Sequence, residues 1–254
     1  MAKLDELLLL SGNDIPFPQA RINIHQPRLK EIALIGEENF HIGSQFLCFD
    51  KNKLADQDKV NSSNQSNFDI FMSVINSKEK ARHKIDAIIL FAMLFPKAKF
   101  LLQKDRILLQ EGDLTTEINQ SNFDEFQSLI GQIFCLKESL GGEPEYDPSD
   151  AMAAKIAEKI AKGKLKRQAK KQALAGSEEK VNIYSRFVSI LAVGQKRDIN
   201  SYMDYTVYQL RDEYRRYILK NNFDMYVKAK LAGAEDLEEA EDWMEDIHSL
   251  SNKN

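Results

Sequence analysis

Two cysteines in 254 residues, Cys48 and Cys135, are too few and too far apart to form a disulfide framework. Each stands among apolar neighbours, Phe46, Leu47 and Phe49 around the first and Ile133, Phe134 and Leu136 around the second, so both read as buried free thiols in a reducing compartment. Metal spacing is missing as well. The four histidines, His25, His41, His83 and His248, make no His-x-x-x-His, and no cysteine pair accompanies them. No serine sits in a nucleophile elbow. Gly141-Gly142 is not a phosphate loop, because no strand precedes it and no Gly-Lys-Ser/Thr follows. The expectation is a protein that is not an enzyme and carries no cofactor and no metal.

The opening apolar run, Leu7 to Leu10, is too short for a membrane span or the core of a signal peptide. Asp5 and Glu6 precede it where a signal peptide would carry positive charge. A cytoplasmic protein with no membrane role is expected. Strong charge imbalance is absent too: 35 basic and 39 acidic residues give a net charge of -4, which supplies no global attraction to nucleic acid or to an anionic membrane. At 43% hydrophobic and 29% charged, the composition is that of an ordinary globular chain with enough apolar material for one large domain or two modest ones.

What the chain does have is helical patterning, densest between Val181 and Ile247. Tyr184, Phe187, Val188 and Leu191 recur at spacings of three and four, with Ile183 and Ile190 widening the stripe, which predicts a buried helix. Thr206 and Gln209 have capping-box spacing, and Val207, Leu210, Tyr214, Tyr217 and Ile218 mark the inner face of the helix they open. Asn221-Asn222 interrupts that pattern, Tyr226 and Ala229 resume it, and Gly233 suits a left-handed cap. Asp236 with Glu239 opens a last helix carrying Leu237, Ala240, Trp243, Met244 and Ile247. Four short helices in a small bundle are expected.

Upstream, Arg21 to His25 alternates as a strand, Pro27 suits the first position of a helix ending at Gly36, and another helix runs from about Phe40 to Phe49. The polar stretch 51–66 reads as a loop. Ser66 caps a helix with Phe68, Phe71, Met72 and Ile75 inside, and a further helix stops at Pro96. Lys99 to Gln103 and Arg106 to Gln110 read as a hairpin, which the strand at Arg21 to His25 would extend into a small sheet. Ser121 then caps a helix bearing Phe123, Phe126, Leu129, Ile130, Ile133 and Phe134. The fold class is therefore α+β, predominantly helical, with a small antiparallel sheet and helices in the N-terminal part and a helical bundle in the C-terminal part. The expected division is 1–138, an α+β domain; 139–176, a Gly/Pro linker and a basic helix; and 177–254, the bundle.

The basic helix carries Lys155, Lys159, Lys162, Lys164, Lys166, Arg167, Lys170 and Lys171 against one acid, Glu158, while Glu235 to Asp246 carries eight acids and no base. A lysine run of this kind is a solvated connector, a docking surface for an acidic partner, or a phosphate-neutralising surface for nucleic acid. Lys164, Lys166, Arg167 and Lys170 are the candidate contacts. No aromatic interleaves them, so there is no stacking platform for single strands. Tyr205, Tyr208, Tyr214, Tyr217 and Trp243 are candidate partner-binding residues, because Tyr and Trp are enriched at interface hot spots; the bland alternative is bundle core and rim. Tyr205 and Tyr208 fall off the inner stripe and are the two expected at a partner surface.

Three stretches together resemble the tail assembly chaperones of long-tailed bacteriophages. They are Ile24-His-Gln-Pro-Arg-Leu-Lys-Glu-Ile with Ile35-Gly-Glu-Glu-Asn-Phe, then Ala154-Lys-Ile-Ala-Glu-Lys-Ile with its lysine-rich continuation to Lys171, and then Tyr205-Thr-Val-Tyr-Gln-Leu-Arg-Asp through Lys228-Ala-Lys-Leu-Ala-Gly-Ala to Glu241-Asp-Trp-Met. The resemblance implies a non-enzymatic protein of the host cytoplasm, absent from the mature virion. Such a protein coats the long tape-measure protein and leaves as tail-tube subunits polymerise, so tape-measure and tail-tube proteins are the implied partners. Opposite charges at its two ends would favour self-association. The alternatives are a nucleic-acid-binding accessory protein working through 155–171 and a structural connector of the virion.

Overall fold

Asp5 opens the first helix by accepting the amides of Leu7 and Leu8, and Gly12 closes it at φ +67°, so α1 is Glu6–Ser11. The computed structural model describes residues 4–49, 65–76, 81–103, 105–136, 182–233 and 243–244. After α1 come β1 (Ile15–Phe17), a short 3-10 turn (Pro18–Ala20) and β2 (Ile22–Ile24), then α2 (Leu29–Ile35), α3 (Glu37–Leu47), α4 (Asn67–Asn76) and α5 (Ala81–Leu94). Strands β3 (Lys99–Leu102), β4 (Ile107–Glu111) and β5 (Leu114–Ile118) precede α6 (Phe123–Ile133). Helix α7 (Ile183–Gln195), a second 3-10 turn (Ile199–Tyr202) and α8 (Val207–Leu231) complete the described chain. The class is α+β and mostly helical, as the patterning predicts.

The strands pair differently from expectation. β3 and β4 form the expected antiparallel hairpin, with Lys99 opposite Gln110 and Leu102 opposite Ile107. The strand beside them is β5, however, and β2 pairs with β1 in a separate two-stranded sheet, Ile15 opposite Ile24. Gly112, at φ +60°, is the first residue of the two-residue turn that returns β5 onto β4, a position that glycine fills without strain. β1 alternates buried and exposed as β2 does, so the pair closes locally once Pro18 turns the chain.

Helix starts also shift. Pro27 lies outside α2: Arg28 is the N-cap, and the Glu31 carboxylate accepts the Arg28 amide at 2.6 Å. Asn122, not Ser121, is the N-cap of α6; the Ser121 hydroxyl bonds instead to Asn119 at 2.7 Å. Ser66 does cap α4, accepting the Asp69 amide at 3.1 Å while the Asp69 carboxylate accepts the Ser66 amide.

One apolar cluster runs from Leu9 to Leu210. Its centre is phenylalanine: Phe91 stacks on Phe126 at 5.5 Å, and Phe71 lies 5.1 Å from Phe123, all four rings buried. A fully buried ring of this size contributes roughly 1.5–3 kcal/mol from burial alone, so the quartet is a substantial share of the burial that stabilises the N-terminal part. α3 crosses α5 closely at Gly43, where a Cβ would stand 3.1 Å from the Asp86 carbonyl oxygen. Cys48 and Cys135 are not joined in a disulfide; the first is half-buried and the second buried.

Among the described residues, the two helices expected on either side of Asn221-Asn222 are one. α8 runs unbroken for 25 residues, through Asn221 and Asn222. Asparagine costs a helix interior only about 0.5–0.7 kcal/mol, and the Lys220–Asp224 ion pair at 2.6 Å bridges the two asparagines along the surface. The expected basic helix, the linker and the helix from Asp236, apart from Trp243 and Met244, lie outside the described residues, as does the loop over 51–64.

Candidate functional site

The candidate site is built on α7 and α8. Thr206 caps α8 as its spacing predicts: its hydroxyl accepts the Gln209 amide at 3.3 Å, and the Gln209 side-chain oxygen accepts the Thr206 amide at 2.8 Å. The same Gln209 donates to the Leu10 carbonyl at 2.7 Å, so the cap also fastens α8 to α1. Leu29 and Lys30 donate their amides to the carbonyls of Tyr205 and Met203, each at 2.9 Å. α7 takes its cap from the N-terminal part. Asn182 supplies no side-chain bond there; the Glu37 carboxylate accepts the amides of Tyr184 (2.5 Å) and Ser185 (3.2 Å) and the Ser185 hydroxyl (2.8 Å).

Around this seam the charges are close and partly shielded. Arg211 of α8 donates to the Cys135 carbonyl at 2.9 Å. Burial, and then the Arg211 charge, hold the His41 imidazole below its usual value, against a weaker opposing pull from Glu37. Burial pushes the Tyr184 phenol up to about 12. Phe40 packs edge-on to Tyr184 at 6.0 Å, which joins the seam to the main core.

α7 and α8 meet through aromatics. Phe187 stacks on Tyr214 at 3.9 Å with an 11° tilt, and the Tyr217 phenol lies across Gly194, where a Cβ would come within 1.9 Å of its oxygen. Arg197 sits over the rings of Tyr202 and Tyr205, 5.0 and 5.5 Å from their centroids, and donates to the Tyr205 hydroxyl at 2.9 Å. That bond raises the Arg197 guanidinium further above its ordinary value.

The predicted partner-binding residues thus fall into three groups. Tyr205, Tyr214 and Tyr217 are half-buried on the α7–α8 face. Tyr208, expected at a surface, is 5% exposed and sits in the core with Val207 and Leu210. The turn before Thr206 aims its side of the helix inward, a rotation that the stripe of α8 alone does not encode. Trp243 is half-buried, and its carbonyl accepts from Arg216 at 3.4 Å. Lys164, Lys166, Arg167 and Lys170 lie outside the described residues.

Past Leu210, no residue of α8 is fully buried. The helix extends about 30 Å beyond that point at 1.5 Å per residue, and it exposes Met225 (68%), Val227 (37%) and Leu231 (84%). Sequence reasoning placed the break at Asn221 and so missed this projecting half.

The histidines offer one arrangement that spacing did not show. His25 lies between Asp14 (Nδ1 to Oδ1, 2.8 Å) and Glu31 (Nε2 to Oε2, 3.2 Å), tying the turn after α1 to the start of α2. The adjoining cleft, lined by Asp14, Asn23, His25 and Glu111, has a volume of about 30 Å³, room for a water and too small for a substrate. Among the described residues no group of three or more His, Cys, Asp or Glu is arranged to hold a metal ion. No helix of the described residues is long and apolar enough to cross a membrane.

Neither the curated proteins nor the solved structures contain a match to this chain. Residues 176–248 match the family model described as the YomV second domain, from a phage-encoded protein. The stretch that holds α7, its following turn and α8 is therefore similar to a phage-associated domain.

Proposed function

We propose that this chain is a tail assembly chaperone of a long-tailed phage: a non-enzymatic protein that binds the tape-measure protein in the host cytoplasm and is released as tail-tube subunits assemble. The observation that carries this reading is the projecting half of α8. A helix that has no fully buried residue past Leu210, and that beyond its Tyr214 and Tyr217 contacts with α7 exposes Met225, Val227 and Leu231, has the surface a helical client needs. Six basic residues, Arg211, Arg215, Arg216, Lys220, Lys228 and Lys230, stand against three acids, Asp212, Glu213 and Asp224, past Leu210, a surplus that suits a client with acidic flanks. Methionine adapts to varied partners, as a chaperone surface requires. The phage-associated match over 176–248 supports the setting.

Self-association belongs to the same reading, with the lysine-rich stretch 155–171 of one copy meeting the acidic stretch 235–246 of another. Co-expression with the tape-measure protein of the same phage tests the function. Recovery of both proteins in one soluble complex is the expected result. A tape-measure protein whose solubility is unchanged by this chain, together with no co-purification, overturns the reading.

A further inference from the structure

The outer edge of the three-stranded sheet is formed by β3, and its backbone is open. Gln103 donates its amide to the Arg106 carbonyl at 2.9 Å, which sets the alternation: Lys99, Leu101 and Gln103 bond toward β4, while Phe100 and Leu102 turn their N–H and C=O groups away from the sheet. Among the described residues no backbone group pairs with that edge. Edge strands are normally blunted by proline, by a bulge or by charge. β3 has neither proline nor bulge, and its charge, Lys99, sits at one end. Leu101, in the middle, is 60% exposed and lies beside half-buried Leu108 on the outer face.

We propose that this edge is a self-pairing surface, in which β3 of two copies meet antiparallel about a two-fold axis and join their sheets into one of six strands. The occupant is argued from the strand's own sequence. The register that uses both outward-facing residues sets Phe100 of one copy opposite Leu102 of the other, with about four backbone hydrogen bonds between them. Leu101 then faces Leu101 of the second copy across a non-hydrogen-bonded pair, the closer of the two spacings, and the outer face reads Leu108, Leu101, Leu101, Leu108 without a break. Lys99 falls opposite Gln103, so no like charges meet. A strand of four residues buries little area, so the dimer is weak and grows with concentration. This inference is independent of the chaperone reading.

The experiment is sedimentation equilibrium of the full chain in about 1 M salt, where a Debye length of about 3 Å removes association between the charged stretches. The wild-type chain is expected to dimerise reversibly as its concentration rises. Leu101→Lys and Leu101→Glu, each at an exposed position and each checked for a native circular dichroism spectrum, are expected to weaken the dimer at least about tenfold. With the salt lowered to about 0.1 M, where a Debye length of about 10 Å leaves a close ion pair its attraction, an equimolar mixture of the two variants is expected to dimerise more than either variant alone, because the dyad places position 101 against itself. Leu34→Lys, at a still more exposed leucine on α2, is expected to change nothing. A wild-type chain that stays monomeric to its solubility limit overturns the proposal. So does a Leu101→Lys variant that dimerises like Leu34→Lys, or a mixture that remains monomeric. A monomeric wild type whose capture of a client is lost in Leu101→Lys would instead assign the edge to that client.

Discussion

Glu37 caps a helix from a distance in the chain: its carboxylate receives the amide of Tyr184, 147 residues later, at the first turn of α7. A helix end satisfied from another element couples the two in stability, because the acceptor is useful only while both are in place. Glu37→Ala removes three hydrogen bonds and is expected to cost about 1–2 kcal/mol in urea unfolding. Amide exchange at Tyr184 and Ser185 should accelerate more than exchange in α5 or α6. Uniform acceleration would show that the bond carries no special share of the docking.

Gly194 and Tyr217 make the opposite kind of pairing, one that depends on absence of a side chain. With a Cβ placed 1.9 Å from the Tyr217 oxygen and 2.3 Å from its ring carbon, Gly194→Ala forces the tyrosine or the whole of α7 to move. The expected loss is about 1–3 kcal/mol. In a Tyr217→Ala background the same substitution should be close to neutral, and the coupling energy from that double-mutant cycle checks the contact directly.

Two groups at the seam give stability a pH dependence of known sign. The folded state holds His41 below its unfolded value of 6.5, so its contribution is complete above pH 6.5 and is lost as pH falls through the depressed folded value. Tyr184 is raised from 10.0 to about 12, so its contribution is complete below pH 10 and disappears as pH rises toward 12, a loss on the order of 2–3 kcal/mol. Urea midpoints across pH should flatten on the acid side in His41→Gln and on the alkaline side in Tyr184→Phe. Unchanged profiles would mean that neither ring senses the seam.

Most helices were legible because apolar spacing and caps agree locally. Thr206 with Gln209, Ser66 as a cap, and the Phe123, Phe126 and Ile130 stripe all read correctly. What failed depended on which partner a segment takes. β2 takes β1 rather than the hairpin, a choice that alternation on one strand does not contain. Gly112-Asp113 before Leu-Thr-Thr was a usable turn signal for β5 that went unread. Tyr208 is inward because Leu29 and Lys30 bond to the turn preceding α8, and that contact fixes the helix rotation. For the candidate site, the tyrosines at 205, 214 and 217 lie half-buried on or beside the α7–α8 face. The exposed half of α8 was missed because Asn221-Asn222 looked like an end rather than a passage.

That exposed half gives the function its sharpest test. Met225→Glu with Leu231→Glu replaces two side chains that are 68% and 84% exposed, so their removal costs the fold little and the melting temperature should stay within a few degrees. Tyr208→Ala is the converse change, a ring 5% exposed whose loss is expected to cost about 3 kcal/mol or more. If α8 holds an acidic-flanked helical client, the double Glu variant should lose client binding at least about tenfold through both lost apolar contact and like-charge repulsion. Tyr208→Ala should bind in proportion to the fraction that remains folded. Co-purification of client with each variant, set beside its unfolding curve, separates the two effects. Full client recovery by the stable double Glu variant would remove α8 from the binding surface.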